Sequence, residues 1–180
     1  IHYRVMYSVT KRIEFCYGHR LLDYDGICRH PHGHNAVAEI EARSEALDGR
    51  DMVCDFSDIK RIVKEWVDRE LDHKMILRRD DPLVTALERL GEPVFLVGSN
   101  PTAEHIARLL FDYARAEGLP VVRVTLWETP TSFATYTGGD ELFDFARALG
   151  IAHRARRRHN DTGVLDAVMQ GQDAICLNHR

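Results

Sequence analysis

Residues 5–17 alternate along the chain. Tyr7, Val9, Ile13, Phe15 and Tyr17 put apolar side chains on one side while the positions between them are mostly polar, which predicts a half-buried strand. A second alternating run covers residues 35–43, where Ala36, Ala38, Ile40 and Ala42 share one face and Glu39, Glu41 and Arg43 the other. Asp23-Tyr24-Asp25-Gly26 between them is a turn signal. After a break at residues 48–51 the period changes to that of a helix. Ile59, Ile62, Val63, Trp66 and Val67 recur at helical spacing, with Ser57 placed as N-cap. A second helix is predicted from Asn100-Pro101-Thr102 onward, with Pro101 in its first turn, Ile106, Leu109, Leu110 and Tyr113 as its buried stripe, and an end near Gly118. Residues 121–127 are β-branched and strand-like, and residues 133–136 form a further short strand. The order ββααββ predicts an α+β fold: an antiparallel sheet with two helices on one face.

Composition narrows the class without changing that picture. The chain has 180 residues, 44% hydrophobic and 29% charged, with a net charge of −4. This excludes a disordered, collagen-like or coiled-coil chain and argues against a general nucleic-acid binder, which needs a basic footprint. No apolar run approaches the ~20 residues of a membrane helix. Cys16, Cys28, Cys54 and Cys176 are widely spread, as expected of free thiols in a cytoplasmic protein. The organisation reads as a catalytic domain over residues 1–138 followed by a short helix and a C-terminal extension over 139–180. The basic run 153–159 there is read as a solvated surface and not as a nucleic-acid arm.

Ten histidines are a clear excess, and His19, His30, His32 and His34 crowd into one window. His32 and His34 share the parity of Ala36, Ala38 and Ile40; His19 shares that of Ile13, Phe15 and Tyr17. If the two strands pair as a hairpin, three imidazoles converge on the buried side. Three nitrogens around Zn²⁺ leave one position open, as in a catalytic zinc site, and Gly33 would let the backbone pass close to the ion. A lone histidine is more often a core or turn residue; agreement of parity across two strands is what lifts the metal reading above that.

Cys28 lies four residues before His32, where a thiolate would serve as a base or nucleophile, or alternatively as a fourth zinc ligand. His30 has ligand parity as well, but Pro31 follows it. Asp72 beside His73 is a pair in which the carboxylate can orient an imidazole acting as proton donor. Glu128, at the end of the third predicted strand, is placed to accept two parallel N–H bonds from a guanidine-like edge such as that of a pterin.

Six stretches carry a resemblance: Phe15-Cys16-Tyr17-Gly18-His19-Arg20-Leu21, Cys28-x-x-x-His32-Gly33-His34-Asn35, Val53-Cys54-Asp55-Phe56, Leu71-Asp72-His73, Asn100-Pro101-Thr102-Ala103-Glu104 and Glu128-Thr129-Pro130. As an ordered set over residues 15–130 they resemble the 6-pyruvoyl-tetrahydropterin synthase / 6-carboxy-tetrahydropterin synthase family. The resemblance implies the tunnelling fold (T-fold), assembled as a homohexamer, a dimer of trimers with active sites at subunit interfaces. It implies a Zn²⁺ cofactor on His19, His32 and His34, a proton-abstracting Cys28, a proton-donating Asp72–His73 pair, and Glu128 anchoring the pterin with Thr102 and Glu104 nearby. The implied substrate is 7,8-dihydroneopterin triphosphate. The short step from Cys28 to His32 looks like the bacterial branch, which makes 6-carboxy-tetrahydropterin for queuosine synthesis and releases acetaldehyde and triphosphate. The alternatives are the 6-pyruvoyl product, an aldolase- or epimerase-like enzyme of the same fold without the three-histidine site, and a non-catalytic zinc- or pterin-binding module. The segment between Leu77 and Gly98 is longer than the minimal family pattern and is expected to carry an extra helix at residues 82–90.

Overall fold

The computed structural model describes residues 6–138; the expected short helix and extension of residues 139–180 lie outside the described residues. Strand β1 (Tyr7–His19) turns through residues 20–31, with a short 3-10 turn at Ile27–Arg29, into β2 (His32–Ser44). The two strands pair antiparallel along their whole length, from Tyr7 opposite Ser44 to His19 opposite His32. Both run two or three residues further toward the turn than the alternation alone indicates.

The first helix begins at α1 (Phe56–Ile59), widens into a π-helical stretch at Lys60–Lys64 and continues as α2 (Glu65–Glu70). Its N-cap is Asp55, not the expected Ser57: the Asp55 carboxylate accepts from the Ser57 backbone N–H at 2.8 Å and from its hydroxyl at 2.7 Å. The wider π turn keeps Ile59, Val63, Trp66 and Val67 on one buried face.

Next come β3 (Lys74–Arg78), α3 (Pro82–Leu90) and β4 (Val94–Val97), then α4 (Ala103–Ala116), β5 (Val121–Thr129) and β6 (Ser132–Tyr136). The extra helix at residues 82–90 is present. It starts on an Asp81 cap with Pro82 in its first turn and ends on a left-handed Gly91. Thr102 caps α4, so Pro101 precedes that helix and does not open it.

The sheet order is β4-β3-β1-β2-β5-β6. Its β1-β2-β5-β6 portion is antiparallel, as expected, but β3 pairs parallel with β1 and β4 parallel with β3. These two short strands were not anticipated, and they make the sheet mixed. The α+β class stands, with α1–α2 and α4 together on one face.

The core lies between that face and those helices. Ile13, Phe15, Tyr17, Ala36, Ala38, Ile40, Val124 and Leu126 from the sheet meet Trp66, Val67, Ile106, Leu110 and Phe111 from the helices. Trp66 stacks on Tyr113 with ring centroids 4.3 Å apart. On the opposite face the strands carry charge; Glu41, buried there, sits between Arg43 and Arg123. No helix among the described residues is long and apolar enough to cross a membrane. Because β3 covers β1 only at residues 17–19 and Asp72 and His73 bond Cys16, the far edge of β1 has no strand partner over residues 7–15 among the described residues, and β6 forms the opposite edge of the described sheet.

Candidate metal centre

The inner-face periodicity that builds the core carries on to the end of the β1–β2 hairpin, where it delivers histidines. His19 stands opposite His32 in the register, and Tyr17 opposite His34. His19 is 3% exposed; His32 and His34 are half-buried. His19 Nε2 lies 3.0 Å from His32 Nε2 and 3.2 Å from His34 Nε2. The convergence expected from parity is therefore present.

Two of the rings are fixed from behind. His19 Nδ1 is 2.7 Å from the Pro101 carbonyl oxygen, and His32 Nδ1 is 2.8 Å from the His30 carbonyl oxygen. A carbonyl only accepts, so both Nδ1 atoms carry a proton, and in the neutral tautomer this selects, Nε2 is the nitrogen with the free lone pair. Burial, the largest influence, lowers the His19 pKa and keeps that ring neutral. Bare nitrogens facing one another this closely repel unless a cation lies between them. Nitrogens at 2.0–2.1 Å from a tetrahedral zinc stand about 3.4 Å apart, close to the spacings here. The donor set fits zinc: three imidazoles whose Nε2 atoms converge, two of them with the carbonyl support that metal-ligating histidines ordinarily have.

Glu128 completes one wall. It occupies the irregular step between Trp127 and Thr129 where β5 slips against β6, so its carboxylate falls on the same side as Leu126. Glu128 Oε1 accepts from the Tyr17 hydroxyl at 2.7 Å and lies 3.9 Å from the Nε2 of both His19 and His34. Burial, then the bond to Glu128, raise the Tyr17 pKa far above its ordinary value, so Tyr17 remains a neutral donor. Parity alone had made Tyr17 a core residue; nothing in the sequence marked its hydroxyl as the orienting partner of Glu128.

Asp72 and His73 form the pair expected of them. His73 Nδ1 is 2.8 Å from Asp72 Oδ2. The other carboxylate oxygen accepts from the Cys16 N–H at 2.7 Å, and the His73 N–H donates to the Cys16 carbonyl at 2.7 Å. His73 adopts a left-handed backbone, φ 57°, and its side chain is 79% exposed. Burial pushes the Asp72 carboxyl upward, but the Cys16 N–H and the His73 ring outweigh it and hold it below the usual carboxylate value. Among the described residues, no hydrogen bond or ion pair joins this pair to the three histidines. His73 shares a shallow concavity with Cys16, Asn35, His32 and His34, walled on one side by Leu87 and Pro93.

The remaining candidates fall outside the cluster. Among the described residues only His19, His32 and His34 group as ligands, so neither Cys28 nor His30 joins them as a fourth. His30 contributes its carbonyl instead, and its ring Nε2 is 3.3 Å from the Arg29 Nε. Cys28 is half-buried in the 3-10 turn. Thr102 caps α4 and bonds the Glu104 carboxylate; that bond, foremost, lowers the Glu104 pKa. Neither has a hydrogen bond or ion pair to the three histidines among the described residues; Thr102 follows Pro101, whose carbonyl holds His19. A Cβ at Gly33 would meet the Tyr17 carbonyl oxygen across the ladder at 2.9 Å, so glycine is what lets the two strands approach there.

Comparison with known proteins gives a consistent result. Residues 8–139 match the family model described as 6-pyruvoyl tetrahydropterin synthase. The chain is 35% identical over 139 residues to the 6-carboxy-5,6,7,8-tetrahydropterin synthase of Haemophilus influenzae, covering 73% of this chain and 99% of that protein. Among solved structures, an uncharacterized protein from Wolinella succinogenes superposes with a TM-score of 0.63 at 28% identity, over 75% of this chain and 99% of that one. The 6-pyruvoyl tetrahydropterin synthase of Caenorhabditis elegans shares the fold with a TM-score of 0.57 at 23% identity, over 77% of this chain and all of that one.

Proposed function

Because the chain belongs to the 6-pyruvoyl tetrahydropterin synthase family, we propose that it is a zinc-dependent lyase converting 7,8-dihydroneopterin triphosphate and one water to 6-carboxy-5,6,7,8-tetrahydropterin, with release of acetaldehyde and triphosphate. The observation that carries this reading is the convergence of the His19, His32 and His34 ring nitrogens beside a carboxylate pinned by Tyr17. The 6-carboxy product is preferred over the 6-pyruvoyl one because the relative 35% identical to this chain bears that name.

In this reading His19, His32 and His34 hold zinc. Bound there, it supplies Lewis-acid stabilisation of the oxyanionic charge that develops on the substrate's side-chain hydroxyls. Glu128, oriented by Tyr17, accepts two N–H bonds from the guanidine-like edge of the pterin and sets its register. The Cys28 thiolate takes a proton from a side-chain carbon. His73 returns one from Nε2, its Nδ1–H held by Asp72, which stabilises the imidazolium before transfer. Thr102 and Glu104 flank the substrate through the start of α4.

We read the protein as a homohexamer, a dimer of trimers, in the cytoplasm. The edges without a strand partner among the described residues, at residues 7–15 and at β6, support this, because unpaired ladders invite a neighbouring chain. The exposed His73 supports it too, as a donor placed for a site shared between subunits. Incubation with dihydroneopterin triphosphate, with mass identification of the pterin and metal analysis, tests the proposal. The 6-carboxy product with about one zinc per chain is expected; turnover in a metal-free preparation would overturn it.

A further inference from the structure

The loop between the first two metal-binding histidines, residues 20–31, is fastened at its mouth by a pair that no step above uses. Arg20, the residue after His19, makes a two-pronged ion pair with Asp81, Nε to Oδ2 at 2.8 Å and Nη2 to Oδ1. The Asp81 side chain is 1% exposed, and its Oδ1 also accepts from the Leu83 N–H at 2.8 Å as the cap of α3. A second guanidinium repeats the arrangement one step along: Arg78 Nη2 donates to Asp23 Oδ2 at 2.7 Å while its Nε binds Asp80 at 2.5 Å.

These contacts lead to Cys28 within two residues. The Leu21 N–H, next to Arg20, donates to the Cys28 carbonyl at 2.9 Å and closes the loop at its base. Leu22 is bound on both backbone groups by the Asn100 amide, at 2.9 and 2.7 Å, and Asn100 precedes the Pro101 whose carbonyl holds His19. The loop mouth is thus clamped between the metal side and the β3–α3 excursion, the part of the chain longer than the minimal family pattern. A buried, two-pronged pair is geometrically strict and costly to break from one side. We infer that Arg20 and Asp81 are positioning residues: their pairing sets where Cys28 stands relative to His19, His32 and His34.

This inference rests on the lyase reading for its kinetic readout, though not for its chemical one. Asp81→Asn is the decisive variant, because Asn caps a helix about as well as Asp, so α3 keeps its start while the charge pairing with Arg20 is lost. Arg20→Lys keeps the charge and loses the fork. Full-length protein carrying zinc is assayed for kcat and KM with dihydroneopterin triphosphate. The Cys28 alkylation rate with iodoacetamide is followed by peptide mass spectrometry, with Cys54 as internal reference. Expected for Asp81→Asn are a tenfold or greater fall in kcat, KM within threefold, unchanged zinc content, and a Cys28 alkylation rate altered at least threefold while that of Cys54 stays put; Arg20→Lys falls between it and the parent. The inference is overturned if kcat stays within twofold and the Cys28 rate is unmoved, or if both cysteines and the zinc content change together, as general loosening would produce. Should Asp81→Asn not fold, the same readouts on Arg20→Lys decide. If the parent protein itself turns over no pterin, the lyase reading fails, and the alkylation ratio alone judges the positioning role.

Discussion

Two sets of histidines in this molecule are oriented in the same way and end up chemically opposite. His19 and His32 donate Nδ1–H to backbone carbonyls, those of Pro101 and His30; His73 directs Nδ1 at the Asp72 carboxylate. A carbonyl fixes the tautomer but adds no charge, and where the ring is also buried, as at His19, the neutral form is favoured. A carboxylate fixes the same tautomer and stabilises the imidazolium as well, and His73 is open to water. In the proposed reading one arrangement makes metal ligands and the other a proton donor. The lesson is that the partner behind the ring, more than the ring itself, assigns the role.

The comparison breaks most severely at the ligands. His32→Ala leaves two nitrogens for the ion and is expected to remove essentially all bound zinc and all turnover, read by metal analysis and product formation. Zinc retained near one per chain would mean that the three rings do not form the site. Next in size is the donor. Asp72→Asn keeps the shape but takes away the charge behind His73, so kcat should fall on the order of a hundredfold while zinc content and KM hold. A parallel loss of zinc would place Asp72 on the metal side of the comparison and remove the distinction. Smaller again is Tyr17→Phe, which deletes the hydroxyl that orients Glu128. The expected cost is about 1–2 kcal/mol in kcat/KM, near tenfold, carried mainly by KM.

The ligand side of the comparison was legible because strand parity is a strict signal. Once Ala36 and Phe15 point inward, His34, His32 and His19 must follow, whatever lies between the strands. The partners behind the rings were not legible. Pro101 and His30 act through carbonyls, which every residue possesses and no side chain advertises. Tyr17 looked apolar because its neighbours on that face are. The helix start moved from Ser57 to Asp55 since both residue types cap helices and only the fold decides which has N–H groups in reach. Strands β3 and β4 escaped for a different reason: three or four apolar residues carry no period, and their parallel pairing depends on an edge supplied by β1, distant in the sequence. The α+β order, built on long amphipathic stretches, needed no such help.

The smallest effect separates the two halves by acidity. The Asp72 carboxyl sits below its ordinary value of 3.8, so the folded state binds its proton less readily than the unfolded chain does. Its contribution to stability is therefore fully present above pH 3.8 and is lost as pH falls through the lower, folded-state value. Because the pair with His73 is open to water, that contribution amounts to a fraction of a kcal/mol. Denaturant midpoints for the parent and Asp72→Asn should then differ slightly at neutral pH and converge as the pH falls below 3.8 and through the lower folded-state value, with Tyr17→Phe as a control that shows no such convergence. A gap that widens on acidification would mean that the folded state holds the proton more tightly than the unfolded chain. His73 would then lack the charged partner on which the contrast with His19 and His32 depends.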